Sequence, residues 1–214
     1  MRRLLTAICI VLALIMVGLV GNANANMILN GSFESGPALL DAVGLYQNVY
    51  PPSTEIDNWT VITSNINYIG GYWQHSDGER SLDLNGQDGG GGVEQSFATN
   101  IGQEYTVNFD MSGNPSTHPD NITPIKWMRV LAAGDSADFS FDITGQSFGD
   151  MGWVTKSWSF VAIDTTTTLQ FISLDNTSLR WGPALDNVEV VPEPTTLALL
   201  GIGGLALALR RHRG

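Results

Sequence analysis

The sequence predicts an all-β fold for residues 26–191, an antiparallel β-sandwich or jelly roll, between apolar segments at both ends of the chain. Within residues 138–143, Phe139, Phe141 and Ile143 fall on one face, and aromatic residues at every second position indicate a half-buried strand. Glycine-rich turn segments, such as residues 89–92, separate such runs, and no amphipathic helix interrupts them. Many short strands joined by such turns are typical of sandwiches and jelly rolls.

The same alternation defines the candidate strands along the chain. Tyr105, Val107, Phe109 and Met111 repeat the pattern with aromatic and apolar residues on one face. The candidates are residues 27–34, 56–62, 66–73, 80–85, 92–98, 104–112, 125–133, 137–144, 152–163, 167–174 and 184–191.

Residues 1–25 have the features of a secretory signal peptide. Arg2 and Arg3 precede an apolar stretch that ends in the small-x-small pattern of residues 23–25. We therefore expect a signal helix, cleavage after Ala25 and export by the Sec translocon, with an uncleaved anchor as the alternative. The sole cysteine, Cys9, lies in this segment, so the mature domain must hold together without a disulfide.

The C-terminal segment, residues 192–214, combines three features in a fixed order. Two prolines come first, and they keep the chain extended. An apolar run follows over residues 195–209, which as a transmembrane helix would span about 22 Å, short of a hydrocarbon core of about 30 Å. A basic end then predicts a cytoplasmic terminus. The residues that define the signal are Pro192, Glu193, Pro194, Arg210, Arg211 and Arg213.

This order closely resembles the PEP-CTERM sorting signal. The resemblance implies that an exosortase-type membrane protease cuts near the Pro-Glu-Pro sequence. We therefore expect a bacterial protein that is exported across the inner membrane and transiently anchored by its C-terminal helix. It would then reside at the cell surface or outside the cell. A plain C-terminal membrane anchor is the alternative, although such an anchor does not need the two prolines.

The charge of residues 26–191 limits the kinds of molecule that this domain can bind. Residues 26–191 carry 20 acidic and 5 basic side chains, a formal charge of −15. An acidic surface repels phosphate backbones, so nucleic acid is not an expected partner.

Residues 26–191 contain three distinctive motifs, namely Leu-Asn-Gly-Ser-Phe-Glu at 29–34, Asp-Gly-Glu-Arg-Ser-Leu-Asp-Leu-Asn-Gly at 77–86 and Gly-Pro-Ala-Leu-Asp-Asn-Val at 182–188. Together they resemble the choice-of-anchor C family, which is related to a domain of unknown function found in plant cell-wall proteins. The resemblance implies a galactose-binding-like jelly roll. It implies a function less directly, because this fold hosts both binding modules and structural domains.

The resemblance also implies a structural calcium ion, because similar sandwiches bind Ca²⁺ through residues at these positions, here Glu34 and Asp186. Ca²⁺ takes 6–8 oxygen ligands, so two side chains alone cannot complete its shell. The alternative is that Asp186 caps a turn and Glu34 is a solvated charge.

Two groups of residues are candidates for sugar binding, because exposed aromatic rings stack on the apolar faces of sugars. The first lies at the end of a predicted strand, where Tyr72 and Trp73 face opposite sides and Gln74 and His75 supply polar partners. The second pairs Trp127 with Arg129 on one strand face. For each group the alternative is buried aromatic rings with no ligand.

Catalysis is not predicted. His75 and His118 are the only histidines outside the tail, and neither belongs to a recognisable triad or metal motif. The leading hypothesis is an exported surface or matrix protein whose sandwich binds glycan or matrix polysaccharide. The alternatives are a structural matrix component without a small ligand and, less favoured, a hydrolase.

Overall fold

The computed structural model describes residues 25–39, 45–175 and 180–194. Thirteen strands and no helix are assigned in these ranges. No helix there has the length and apolar character that a membrane span requires. The predicted signal helix and the C-terminal transmembrane helix lie outside the described residues.

The strands follow the predicted order along most of the domain. They are β1 Tyr46–Val49, β2 Thr60–Ile62, β3 Ile66–Ile69, β4 Ser81–Asp83, β5 Asn85–Gly86, β6 Gly89–Gly90, β7 Gly92–Ala98, β8 Glu104–Gly113, β9 Ile125–Ala132, β10 Asp135–Asp142, β11 Val154–Val161, β12 Thr166–Ser173 and β13 Pro183–Pro192.

Two antiparallel sheets form the sandwich. The six-stranded sheet has the order β1-β3-β4-β13-β8-β11, and the five-stranded sheet has the order β10-β9-β12-β7-β2. The small hairpin β5–β6 forms a third, two-stranded sheet. The all-β prediction is therefore confirmed for the described residues.

The main core lies between the two large sheets. The inward faces contribute alternate residues, such as Tyr68, Leu82 and Leu185 from the six-stranded sheet and Val130 and Phe171 from the five-stranded sheet. Because successive residues of a strand point to opposite faces, Asn67, Asp83 and Ala184 face away from this core. A second, smaller apolar cluster covers part of that outer face, and it comprises Ile69, Trp73, Met151 and Ala184 with Tyr72 and Trp153.

Residues 27–34 do not form the predicted strand. Asn30 and Phe33 have φ of 53° and 60°, in the left-handed region, so the chain turns here instead of extending. The turn places Phe33 in the core with ring centroids 5.2 Å from Trp59. The predicted strand 56–62 is shortened to β2 for the same reason, because Asn58 has φ of 68°.

The first described residues pair with the last strand. The Met27 amide donates to the Val190 carbonyl at 2.8 Å, and the Val190 amide donates to Oδ1 of Asn26 at 2.9 Å. Asn26–Val191 forms one compact unit. Its first and last residues are therefore held together by hydrogen bonds.

Candidate saccharide-binding cleft

A cleft of about 240 Å³ opens on the outer face of the six-stranded sheet. The register pairs Tyr46 with Ile69 and Asn48 with Asn67, so these four side chains share one face of β1 and β3. Residues of other segments complete the lining, namely Tyr72, Gln87, Asn114, Ser116, His118, Arg180 and Trp181. No aspartate or glutamate is among these described lining residues.

Aromatic rings form part of the cleft wall. Tyr46, which is 37% exposed, meets the ring of Tyr72 edge to face at 5.5 Å. Tyr72 in turn packs against Phe148, with ring centroids 4.8 Å apart. Burial raises the pKa of Tyr72, with a smaller contribution from the nearby Tyr46. Tyr72 is therefore a neutral, partly buried ring fixed by its aromatic neighbours.

His118 and Trp181 contribute a second aromatic surface. Their rings are nearly parallel, with centroids 4.8 Å apart and an interplanar angle of 19°. His118 is held in its loop by Asp120, whose backbone amide donates to Nδ1 at 3.2 Å. The two rings come from separate loops, and the sequence pattern alone does not bring them together.

Amide side chains supply the polar part of the cleft. Asn67 donates from Nδ2 to Oδ1 of Asn48 at 2.6 Å, across the β1–β3 pair. Each of these amides has two donor hydrogens and an acceptor oxygen, so one mutual bond leaves part of their capacity for a ligand. Both side chains sit on paired strands, which fixes their positions.

A buried carboxylate anchors the cleft from beneath. Asp83 is fully buried and accepts hydrogen bonds from the amides of Asn85 and Gly182 at 2.9 and 3.0 Å. Its other oxygen accepts from Nδ2 of Asn114 at 2.8 Å. Burial raises the pKa of Asp83 to about 7, against the opposing effect of these hydrogen bonds and of Lys126.

The loop that carries Asn114, Ser116 and His118 is held by a buried ion pair. Nζ of Lys126 lies 3.1 Å from Asp175, and both side chains are almost completely buried. The same Nζ donates to Oδ1 of Asn121 at 2.6 Å, and Nδ2 of Asn121 donates to the Ser116 carbonyl at 2.7 Å. Lys126 thereby fixes the cleft loop from inside the sandwich.

Of the first predicted group, only Tyr72 lines the cleft. Trp73 is 4% exposed and packs in the second apolar cluster. Strand alternation placed Tyr72 and Trp73 on opposite sides but did not predict which of the two rings is buried. Gln74 accepts the Met151 amide at 3.0 Å, which holds the neighbouring loop. Direct sugar contacts of Tyr72, Trp73, Gln74 and His75 stay predictions.

His75 takes part in a series of hydrogen bonds that links Trp73, Ser81 and Gly70. Nε1 of Trp73 donates to Oγ of Ser81 at 2.8 Å, and Nδ1 of His75 lies 2.9 Å from the same oxygen. Nε2 of His75 is 2.7 Å from the Gly70 carbonyl, which can only accept. Nε2 of His75 therefore carries a proton, and burial lowers the pKa of His75, which favours the neutral imidazole.

The second predicted group lies on the outer face of the five-stranded sheet. Trp127 is 45% exposed. Arg129 donates from Nε and Nη2 to the two oxygens of Asp138 at 2.6 and 2.7 Å, so its guanidinium is engaged within the protein. A role of Trp127 and Arg129 in sugar binding stays a prediction.

A larger hollow of about 510 Å³ lies at the edge of the five-stranded sheet. Its lining comes mainly from residues 131–136 and 163–170 and is rich in threonine. None of its described lining residues is aromatic. It therefore lacks the ring surfaces on which a sugar can stack.

Glu34 and Asp186 both bind the loop that follows His75. Oε1 of Glu34 accepts the amides of Glu79 and Arg80 at 2.8 and 2.9 Å. Oδ2 of Asp186 accepts the amides of Ser76 and Asp77 at 2.9 and 3.0 Å. Burial raises the pKa of Asp186 to about 7. The two carboxylates therefore clamp one loop through its backbone.

The calcium ion stays a prediction. Ca²⁺ needs 6–8 oxygens, and among the described residues no three acidic or histidine side chains converge on one point. Backbone carbonyls would have to supply most of the shell. A melting curve recorded with calcium and with a chelator tests this prediction directly.

The two-sheet topology and the cleft define a β-sandwich of the jelly-roll class with a polar, aromatic-lined surface site. Residues 26–191 match the family described as "Protein of unknown function (DUF642)", and the chain belongs to this family. Residues 190–213 match the PEP-CTERM protein-sorting motif, which confirms the signal predicted from the tail. The motif indicates export to the cell surface or beyond and processing by an exosortase-type system.

Known proteins resemble parts of this chain. Halomucin of Haloquadratum walsbyi is 28% identical over 175 residues, which is 82% of this chain but only 2% of halomucin. An arabinose-bound α-L-arabinofuranosidase, MgGH51, has a TM-score of 0.50 at 13% identity, covering 81% of this chain and 27% of its own. TmCBM61 in complex with β-1,4-galactotriose has a TM-score of 0.46 at 13% identity, covering 79% and 99%. At these identities the structural similarity describes the fold alone.

Proposed function

We propose that the domain binds a polysaccharide in the cleft on the outer face of the six-stranded sheet. The observation that carries this proposal is the meeting of three partly exposed aromatic rings, Tyr46, Tyr72 and Trp181, with fixed amide side chains in one concavity. The C–H groups on one face of a pyranose ring form an apolar surface that stacks on such rings, with a gain from buried apolar area.

The amides would select the sugar through its hydroxyl groups. Asn48 and Asn67 sit directly opposite each other on β1 and β3 and offer both donors and acceptors, which matches hydroxyls that donate and accept. Because strand pairing already fixes these side chains, binding would cost little side-chain entropy. The cleft is smaller than the roughly 300–1,000 Å³ of typical ligand pockets, so it would hold a short stretch of a longer chain.

The cleft supports binding better than hydrolysis. A glycosidase of the usual kind needs two carboxyl groups that face the scissile bond. The described lining residues include neither aspartate nor glutamate, and Asp83 lies beneath the cleft with its oxygens engaged by hydrogen bonds.

The sorting motif supports a cellular setting for this activity. In our proposal the Sec translocon exports the chain, the signal peptide is removed after Ala25, and the C-terminal helix anchors the protein until an exosortase-type protease acts. The released domain would then hold surface or matrix polysaccharide outside the cell.

The test compares cleft variants with a variant of the opposite face. Residues 26–191, one compact unit, are assayed for retention by a panel of polysaccharides and for affinity by calorimetry. We expect Trp181→Ala and Tyr72→Ala to weaken binding at least about tenfold, which corresponds to about 1.4 kcal/mol. Trp127→Ala is the matched control, because it removes an exposed ring from the other sheet.

Melting temperatures separate lost binding from lost folding. Tyr72 packs in the second apolar cluster, so Tyr72→Phe, which keeps the ring, should retain both binding and stability. Loss of binding in Trp127→Ala with full binding in the two cleft variants would move the site to the five-stranded sheet. Absence of binding to every polysaccharide by the folded domain would overturn the proposal.

A further inference from the structure

The charged side chains that line the cleft differ from those of the domain as a whole. Residues 26–191 carry 20 acidic and 5 basic side chains. Yet the charged or protonatable groups among the described cleft-lining residues, apart from the two tyrosines, are Arg180 and His118. A strongly acidic domain thus places a cation at the concavity that we propose as its saccharide site.

Three of the other four basic residues are engaged elsewhere. Lys126 is buried against Asp175, and Arg129 forms its two bonds to Asp138. Nη1 of Arg80 donates to the Glu79 carbonyl at 2.7 Å. Lys156 lies on the edge strand β11, away from the cleft lining.

Arg180 differs from the buried and paired cations. Its side chain is exposed, it directly precedes the cleft ring Trp181, and it forms no ion pair within the described ranges. A guanidinium presents a planar set of donors that matches a carboxylate or sulfate with two parallel hydrogen bonds. A sugar stacked on Trp181 would bring a substituent of its ring within reach of this neighbouring side chain.

We propose that the cleft prefers an anionic saccharide, in which a carboxylate or sulfate group of a sugar unit pairs with Arg180. This inference rests on the proposed function, because it assigns a substrate class to the same site. The net charge of the domain opposes an anionic ligand at long range. That repulsion is screened beyond about 8 Å at physiological ionic strength, whereas a direct guanidinium contact is screened much less.

The test uses two pairs of probes with the same sugar backbone, one anionic member and one neutral member in each pair. Oligogalacturonate is compared with its methyl ester, and a sulfated galactan oligosaccharide with its desulfated form. We expect at least one anionic probe to bind residues 26–191 about tenfold more tightly than its neutral partner. The pair that shows the preference identifies carboxylate or sulfate as the recognised group.

Arg180→Gln keeps a polar hydrogen-bonding side chain but removes the guanidinium charge, and it should abolish this preference. Arg129→Gln, on the other sheet, is the matched control and should retain it. Equal binding of charged and neutral probes, with both lost in Trp181→Ala, would overturn the charge preference and leave the saccharide site standing. A preference that persists in Arg180→Gln would also overturn it. Binding of none of the four probes by a folded domain that is retained by a neutral polysaccharide would likewise overturn the charge preference and leave the saccharide site standing.

Discussion

The two outer faces of the sandwich use polar side chains in different ways. On the five-stranded sheet, polar groups pair across neighbouring strands, as Arg129 does with Asp138 and Gln170 with Glu94 at 2.7 Å. On the six-stranded sheet the Asn48–Asn67 pair also joins neighbouring strands through one hydrogen bond, but here amides and aromatic rings surround a concavity, and the buried Asp83 holds the Asn114 amide from below. The comparison shows that exposure alone does not make a site, because the two bonds between Arg129 and Asp138 engage both charged groups with each other.

The two faces also differ in the burial of the ion pairs associated with them. The cleft loop depends on the buried Lys126–Asp175 pair, whereas the opposite face carries the exposed Arg129–Asp138 pair. Buried and exposed ion pairs respond very differently to the loss of one partner. Three measurements sharpen this comparison, in order of decreasing effect.

The largest effect is expected for Lys126→Met, which keeps the side-chain volume and removes the charge. Asp175 would then be a buried carboxylate without its cationic partner, and such losses cost about 3–5 kcal/mol of unfolding free energy. Urea denaturation of residues 26–191 measures it. A loss below about 1 kcal/mol would contradict the supporting role that we assign to this pair.

A pH effect of intermediate size is expected from Asp83 and Asp186, whose pKa burial raises to about 7 in each case. An unfolded aspartate titrates near 3.9, so between these values the folded domain binds more protons than the unfolded chain. Stability is then highest at low pH within this window and falls as the pH rises through about 7.

Melting temperatures at pH 5 and pH 8 measure this effect, with the higher value expected at pH 5 from these groups. Asp83→Asn should reduce the difference, because the amide cannot ionise. Asp142→Asn is the control, since hydrogen bonds from Thr144 lower the pKa of that exposed carboxyl instead. An undiminished difference in Asp83→Asn would show that Asp83 does not titrate in this range.

The smallest effect is expected for Arg129→Ala. The Arg129 and Asp138 side chains are both more than one third exposed, and such pairs contribute about 0–1 kcal/mol. Added salt should reduce this contribution further. A loss of unfolding free energy as large as that in Lys126→Met would contradict the distinction between the buried ion pair and the exposed one.

Strand periodicity predicted the sandwich well, because alternation reports directly which residues face a core. β7 was predicted at its exact bounds, whereas residues 27–34 were not a strand because Asn30 and Phe33 adopt left-handed backbone. Alternation has no signal for a turn made by non-glycine residues. The short strand β1 also escaped prediction, since four residues give too few repeats to define a period.

The candidate site was predicted only in part. Sequence pattern selected Tyr72, which lines the cleft, but it did not select Tyr46, Asn48 or Trp181. These three residues lie far apart in the chain and have no common motif. The Arg180-Trp181 dipeptide beside the Gly-Pro-Ala-Leu-Asp motif was the one local feature that could have directed attention to this loop.

The sequence by itself determined the positions of most strands along the chain, the acidic charge of the domain and the sorting motif at residues 190–213. These properties are local, since side-chain alternation, charge and a three-part motif are written in neighbouring residues. Only the tertiary structure decided which aromatic rings line a cleft and which are buried. That outcome depends on sheet register and loop packing, which bring Tyr46, His118 and Trp181 together from distant parts of the chain.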